Sequence, residues 1–188
     1  GTLSGAGNVS ANGGDARSNY NGESGGGGGR IAIYYGQENG FDLSHVTAYG
    51  GTKGYSSTIG GAGTVYLKDA NEATGRLIVD NTPRGTGTEA TELEPPIDAV
   101  LSIIGANVTL LGDHAFAQPV TATNFVLSHT GSVAFATAVD WSNGTWNQGG
   151  DLTAPSLALS NVTWNQNGAA TVENLTLNNV IWYQNAYV

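Results

Sequence analysis

Hydrophobic and polar positions in the last quarter of the chain recur with a fixed period. Residues 142–159 read SNGTWNQGGDLTAPSLAL, residues 160–177 read SNVTWNQNGAATVENLTL, and residues 178–188 open a third copy with NNVIWYQNAYV. The spacing from copy to copy is constant and has no gaps (160 − 142 = 178 − 160 = 18). It sets Asn143, Asn161 and Asn179 in one column, Trp146, Trp164 and Trp182 in a second, and Gln148, Gln166 and Gln184 in a third. Aromatics and amides in register at so short a period predict a β-solenoid, in which each coil buries its apolar side only by stacking on its neighbours. Strand alternation then predicts that Val162 and Trp164 face inward on one side, Val172 on another, and Leu175 and Leu177 on a third. Thr163, Asn165 and Thr176 face outward. The Asn column falls between strands, where Asn can turn left-handed and bond its amides along the stack.

Further upstream the marker is a pair of apolar residues one apart: Leu175/Leu177, Leu157/Leu159, Val139/Trp141, Phe125/Leu127 and Leu101/Ile103. The spacings of their second members are uneven (177 − 159 = 18, 159 − 141 = 18, 141 − 127 = 14, 127 − 103 = 24), so coils of uneven length are expected. Uneven coils on shared strands fit a right-handed parallel β-helix. A left-handed helix would repeat one apolar residue every six positions, and these residues do not. The expected fold class is therefore all-β, a right-handed parallel β-helix (β-solenoid) with Gly-rich loops.

The first half carries a longer and looser unit. Val9–Gly14 (VSANGG) matches Val46–Gly51 (VTAYGG), and GGGGGRIAIYY at Gly25–Tyr35 matches GGAGTVYLKD at Gly60–Asp69. The offsets between the matched stretches are similar (46 − 9 = 37, 65 − 31 = 34). Ile31 and Ile33, and Val65 and Leu67, alternate with polar or small residues as half-buried strands do. A third strand, Arg76–Asn81, follows. The glycines open no phosphate loop, because a strand and not a helix follows them. They form no calcium-binding nonapeptide either, because Asp15 and Glu23 do not recur. An extended loop is expected, in which glycine permits positive φ and close backbone packing.

The succession VxAxGG, GGGGGRIAIYY, FDLSHVTAYGG, GGAGTVYLKD and GRLIVDN resembles a repeat module of giant secreted bacterial β-helix proteins. The resemblance covers roughly residues 1–81. It implies an extracellular, repetitive, adhesive or structural setting, and it carries over no catalytic residue. Three regions follow: a Gly-rich β-repeat region at 1–81, a Thr/Glu/Pro-rich connecting loop at 82–99, and regular coils at 100–188. Whether residues 1–92 share the solenoid axis is left open by the pattern.

Composition narrows the function. The 188 residues include 29 Gly and carry a net charge of −9, with six Lys and Arg in total. So few cations argue against nucleic acid and against anionic lipid. No Cys is present, which excludes disulfides and thiolate metal sites. No apolar run reaches the roughly 18 residues of a membrane helix. The chain opens within a Gly-rich pattern and stops within a repeat, and is read as a segment or repeating subunit of something longer.

Candidate chemistry is sparse. Glu89, Glu92 and Glu94 cluster in the connecting loop as solvated carboxylates. His45, His114 and His129 are scattered and read as surface or turn residues. Asp140, Asp151 and Glu173 form no acid column. Asn8, Asn107, Asn143, Asn161 and Asn174 lie in N-x-S/T sequons. Asn179 shares the column of Asn143 and Asn161 without a sequon, so the turn explains the motif without glycosylation. The Trp column is expected in the core, since Trp164 shares parity with Val162. The last coil, Val180, Ile181, Trp182 and Tyr183 with Tyr187 beyond, is apolar on both faces and marks a self-association surface. No catalytic residue, cofactor or metal is expected, and the chain is not read as an enzyme. The expected function is a structural segment or subunit of an extracellular or cell-surface bacterial fibre or adhesin. Its expected partners are copies of itself or the rest of a longer chain, with surface glycans as a further candidate. A carbohydrate-binding or polysaccharide-cleaving β-helix is the alternative.

Overall fold

The computed structural model describes residues 1–17, 23–52, 58–82 and 84–185. No α-helix occurs among them. A single 3-10 turn, Leu43–His45, is capped by the Asp42 carboxylate, which accepts the Ser44 N–H at 2.9 Å. Everything else regular is strand. In the first part these are β1 (Thr2–Ser4), β2 (Val9–Ser10), β3 (Arg30–Tyr35), β4 (Gln37–Asn39), β5 (Val46–Thr47) and β6 (Thr64–Asp69). There follow β7 (Gly75–Asp80), β8 (Thr91–Leu93), β9 (Ala99–Ile104), β10 (Asn107–Leu110), β11 (His114–Phe116) and β12 (Val120–His129). The last are β13 (Val133–Phe135), β14 (Val139–Gln148), β15 (Leu152–Gln166), β16 (Ala170–Asn178) and β17 (Ile181–Gln184).

From β7 onward the chain is a parallel β-solenoid. Each coil crosses three faces. The first carries β7, β9 and the matching parts of β12, β14, β15 and β16, all paired in parallel. The second carries β8, β10, the rest of β12 and β14, the end of β15, and β17. The third carries β11, β13, and the starts of β15 and β16. Inward residues from all three meet in one core, including Leu101, Val108, Phe116, Leu127, Trp146 and Leu157.

The expectation of strongly uneven coils is corrected by the strand register. Leu127 pairs with Trp146, and Ala122 pairs with both Trp141 and Ile103. The Phe125/Leu127 pair therefore lies on the second face, whereas Val139/Trp141 and Leu101/Ile103 lie on the first. The left-handed corner residues Gly105, Asn124, Asn143, Asn161 and Asn179 mark the true coils. Their spacing is nearly constant (124 − 105 = 19, 143 − 124 = 19, 161 − 143 = 18, 179 − 161 = 18). The change of one has a location. Between the third and first faces lie Ala117–Pro119 and Ala136–Ala138 in the longer coils, but only Pro155–Ser156 and Glu173–Asn174 in the shorter ones.

The longer units of the first part also pair in parallel: β1 with β4, β2 with β5, and β3 with β6. Val65 and Leu67 are buried there, with Ile31 and Ile33 against them in a second, smaller core. β6 then meets β7 antiparallel, pairing Val65 with Ile78, so β7 joins the two bodies of strands within one sheet. β7 and β8 belong to the solenoid, although they lie in sequence within the Gly-rich and connecting regions.

Between these strands the glycine segments pack backbone against backbone. A Cβ on Gly13 would stand 2.0 Å from the Gly26 O, one on Gly51 2.0 Å from the Gly14 O, and one on Gly60 2.0 Å from the Gly26 O. Amides tie the segments together: Gly26 N–H donates to Gly14 O at 2.9 Å, Gly51 N–H to Gly26 O at 2.8 Å and Gly60 N–H to Gly51 O at 3.1 Å. None of these glycines has positive φ. The side chain is missing here because another chain segment fills its place, not because the backbone is left-handed. Buried Asn81 clamps the cluster, accepting the Gly50 N–H at 2.7 Å and donating to Gly60 O at 3.1 Å.

Substitution separates this packing from mere flexibility. Gly60→Ala is expected to cost about 2–3 kcal/mol through overpacking. Gly14→Ala, whose Cβ meets nothing within 4 Å, is expected to stay within about 0.5 kcal/mol of the parent. Urea unfolding of both variants checks the difference.

Candidate functional site

The last coils of the solenoid carry four columns, three of them polar and one aromatic, and each exists because parallel coils set like residue above like. The corner column is left-handed: Asn124, Asn143, Asn161 and Asn179 have φ of 50°, 56°, 54° and 53°. Asn tolerates this region better than other residues with a Cβ, because its amide bonds locally. Here the amides also bond between coils, Asn161 Nδ2 to Asn143 Oδ1 at 3.1 Å and Asn179 Nδ2 to Asn161 Oδ1 at 2.7 Å. One face over, Asn165 Nδ2 donates to Asn147 Oδ1 at 2.8 Å, and Asn147 Nδ2 to Ser128 Oγ at 3.0 Å. Asn124 and Gly105 belong to the corner column as well, and the aligned copies do not reveal them.

The aromatic column is core. Trp146 and Trp164 are fully buried and stack at 5.2 Å with 7° between planes; Trp164 and Trp182 stack at 4.9 Å with 7°. Trp141, from the first face, meets Trp146 edge-on at 4.9 Å. Offset stacks and edge contacts are the favoured aromatic geometries. A sugar-binding face would have to be built from other residues.

The Gln column serves the Trp column. Trp164 Nε1 donates to Gln148 Oε1 at 3.0 Å, and Trp182 Nε1 to Gln166 Oε1 at 2.9 Å. Each amide nitrogen turns to the glycine corner beyond it. Gln148 Nε2 reaches the carbonyls of Gly150 and Ala169 at 3.1 and 2.9 Å, and Gln166 Nε2 reaches that of Gly168 at 2.9 Å. The buried indole and amide groups thus satisfy each other. Gln184 stands exposed in the last coil.

His114 and His129, expected as surface or turn residues, are both corrected by the structure. His129 pairs with Gln148 and so occupies the Gln column; His114 pairs with Val133 on the third face. Both rings are buried. His114 stacks on Phe116 at 5.4 Å. Burial pushes the pKa of each below the ordinary histidine value, partly offset by backbone hydrogen bonds. The reason is register: inward positions alternate with Ala115 and Ser128, which face out. His45 is part-exposed and lies 3.8 Å from the Asp42 carboxylate.

The last coil divides in two. Leu175, Leu177 and Trp182 continue inward columns, yet their exposures are 44%, 38% and 42%, where Leu157, Leu159 and Trp164 one coil earlier show 1% or less. Val180 is half-buried in the same set. Ile181 and Tyr183 instead continue the outward columns of Thr163 and Asn165, and are 56% and 54% exposed. Tyr187 lies outside the described residues.

Elsewhere a cleft of about 840 Å³ opens between the glycine segments and β8, with Gly28, Arg30, Gly61, Glu89, Glu92 and Glu94 on its walls. Among the described residues no three His, Asp or Glu side chains converge as metal ligands would. Asp140 pairs with Ala158 and Thr121, outside any acid column. Of the sequon asparagines, Asn8, Asn143, Asn161 and Asn174 are exposed and Asn107 is half-buried. The amides of Asn143 and Asn161 are engaged in the corner ladder.

Fold and columns together define a parallel β-solenoid with an amide-bonded aromatic spine. Comparison with family models, curated proteins and solved structures finds no match to this chain.

The Gln column yields a sharp contrast. Gln148→Leu strands the buried Trp164 indole N–H, and is expected to cost about 2–3 kcal/mol. Gln184→Leu is expected to change stability by less than about 0.5 kcal/mol. Chemical denaturation followed by tryptophan fluorescence reads both.

Proposed function

We propose that this chain is a structural segment of an extracellular bacterial fibre or adhesin, and that its final coil associates end to end with another copy. The observation that supports the reading most is the state of that coil. Leu175, Leu177 and Trp182 sit in columns that are core in the coils just before, and they lie open. Complete burial of such a side chain is worth about 1.5–3 kcal/mol, and the exposed part of each forgoes a corresponding share. Among the described residues β16 and β17 pair with β15 alone, so each has a second edge with which a further coil can pair. A coil on a coil is the contact that matches both the apolar columns and the unpaired backbone. Contact of one copy's end with a different surface of the next does not close and grows filaments. The N-terminal resemblance to modules of giant secreted β-helix proteins supports the same setting.

Sedimentation velocity over a concentration series tests this. The parent chain is expected to form larger species as concentration rises. The double variant Leu177→Asp/Trp182→Asp is expected to remain a monomer with an unchanged β-sheet circular dichroism spectrum. A parent chain that stays monomeric at its highest soluble concentration, or one that turns over a polysaccharide, overturns the proposal.

A further inference from the structure

His129 stands between Leu110 below and Gln148, Gln166 and Gln184 above in one inward column, and it makes half of the contacts that the glutamines make. Gln148 and Gln166 each donate from Nε2 to the carbonyl two positions on, Gly150 and Gly168, while Oε1 accepts the indole N–H of the Trp in the next coil. His129 reproduces the first contact, with Nδ1 2.7 Å from the Gly131 carbonyl, also two positions on. A carbonyl only accepts, so Nδ1 carries the proton, and in the neutral ring Nε2 is a bare acceptor. The donor due to meet it is the Trp146 indole, whose ring centroid lies 6.0 Å away. Yet His129 Nε2 and Trp146 Nε1 are both buried without a partner. They are the one acceptor and one donor that the column's pattern would join.

We propose that His129 is an acid-sensitive rung of the solenoid: neutral, it fits the column as a glutamine surrogate, and protonated, it breaks the contact between its coil and the next. A second proton on the ring turns Nε2 into a donor, buried beside the Trp146 indole N–H, with no acceptor within hydrogen-bond distance of either. The neutral ring can accept from that indole, whereas the doubly protonated ring presents a donor to a donor.

No counter-charge relieves this. Leu110 lies beneath His129 and Gln148 above it. The titratable group facing it across the corner is His114, which is also buried and opposes a second positive charge. Asp113 and Asp151 sit exposed on the outer side of the same corners. Their carboxylates are taken by the backbone N–H groups of Ser132 at 2.7 Å and Ala169 at 3.0 Å. Burial holds the folded pKa of His129 below the ordinary 6.5. The unfolded chain therefore binds more protons below that value, so stability is complete above about pH 6.5 and falls as pH drops toward the folded pKa.

The test compares urea midpoints at pH 8 and about pH 5 for the parent, His129→Gln and His114→Val/His129→Gln. The parent midpoint is expected to fall at the lower pH. His129→Gln, which installs the residue found at 148 and 166, is expected to fall markedly less and to be no weaker than the parent at pH 8. The double variant is expected to fall least. A His129→Gln variant as acid-sensitive as the parent overturns the proposal. Titration of the unmodified protein by NMR gives a second reading that needs no variant. The His129 ring is expected to titrate below 6.5, with the Trp146 indole signal moving alongside it. Titration at or above that value with the Trp146 signal unmoved also overturns the proposal.

Discussion

Everything regular in this molecule depends on vertical register between parallel coils. A backbone ladder holds each coil on the last, and a slip by a single position would turn every inward side chain outward. The left-handed corner resists that slip. Only residues that accept φ near 50–56° sit there, and all five are Asn or Gly. Because the corner is held, tryptophan stacks on tryptophan, each indole beyond the first finds the amide of the coil before it, and each amide finds a glycine carbonyl. A buried polar column would be a liability in a loosely specified core, where one unmet group costs as much as several met ones return. From Gln148 onward the repeat makes the partners identical from coil to coil, so satisfying one rung satisfies the next; the rung below, His129 and Trp146, stays unmet.

The two parts of the chain solve the packing problem in opposite ways. The coils bring large side chains into contact and fill the interior with indole, phenyl and leucine. The N-terminal part removes side chains altogether and lets peptide groups meet directly, as at Gly13, Gly51 and Gly60. Its apolar burial is confined to a small core around Val65, Leu67, Tyr35 and Phe41. Cohesion there comes instead from amide–carbonyl bonds across segments and from the Asn81 clamp. β7 serves both parts, antiparallel to β6 on one side and parallel to β9 on the other.

The fold was legible because the C-terminal copies carry three chemically distinct columns in register. The alignment upstream was harder for a physical reason. Inward pairs on the first and second faces are both apolar residues one apart, so Phe125/Leu127 looks like Val139/Trp141 although they occupy different faces. The discriminating mark was Asn124, whose left-handed backbone makes it the corner one coil before Asn143. Misplacing that coil also hid His129, since a histidine enters a glutamine column only after the register is right. Close packing of the glycines was expected, together with a positive φ that Gly13, Gly26, Gly51 and Gly60 do not have. Which peptide lies against which is a tertiary fact, and a run such as Gly25–Gly29 looks the same whether it is packed or free. That the last coil is apolar on both faces was readable in Val180–Tyr183, but not its division into stacking residues and lateral ones.

The corner between the third and first faces is where the longer coils give way to the shorter. Ala136–Ala138 is replaced by Pro155–Ser156 there, and Trp146 still lies over Trp164, and Gln148 over Gln166. Length can thus change at this one bend while every column remains aligned. That makes it a splice point: a peptide introduced between Phe135 and Val139 would project sideways from the shaft, and a series of such inserts would be displayed at the pitch of the coils.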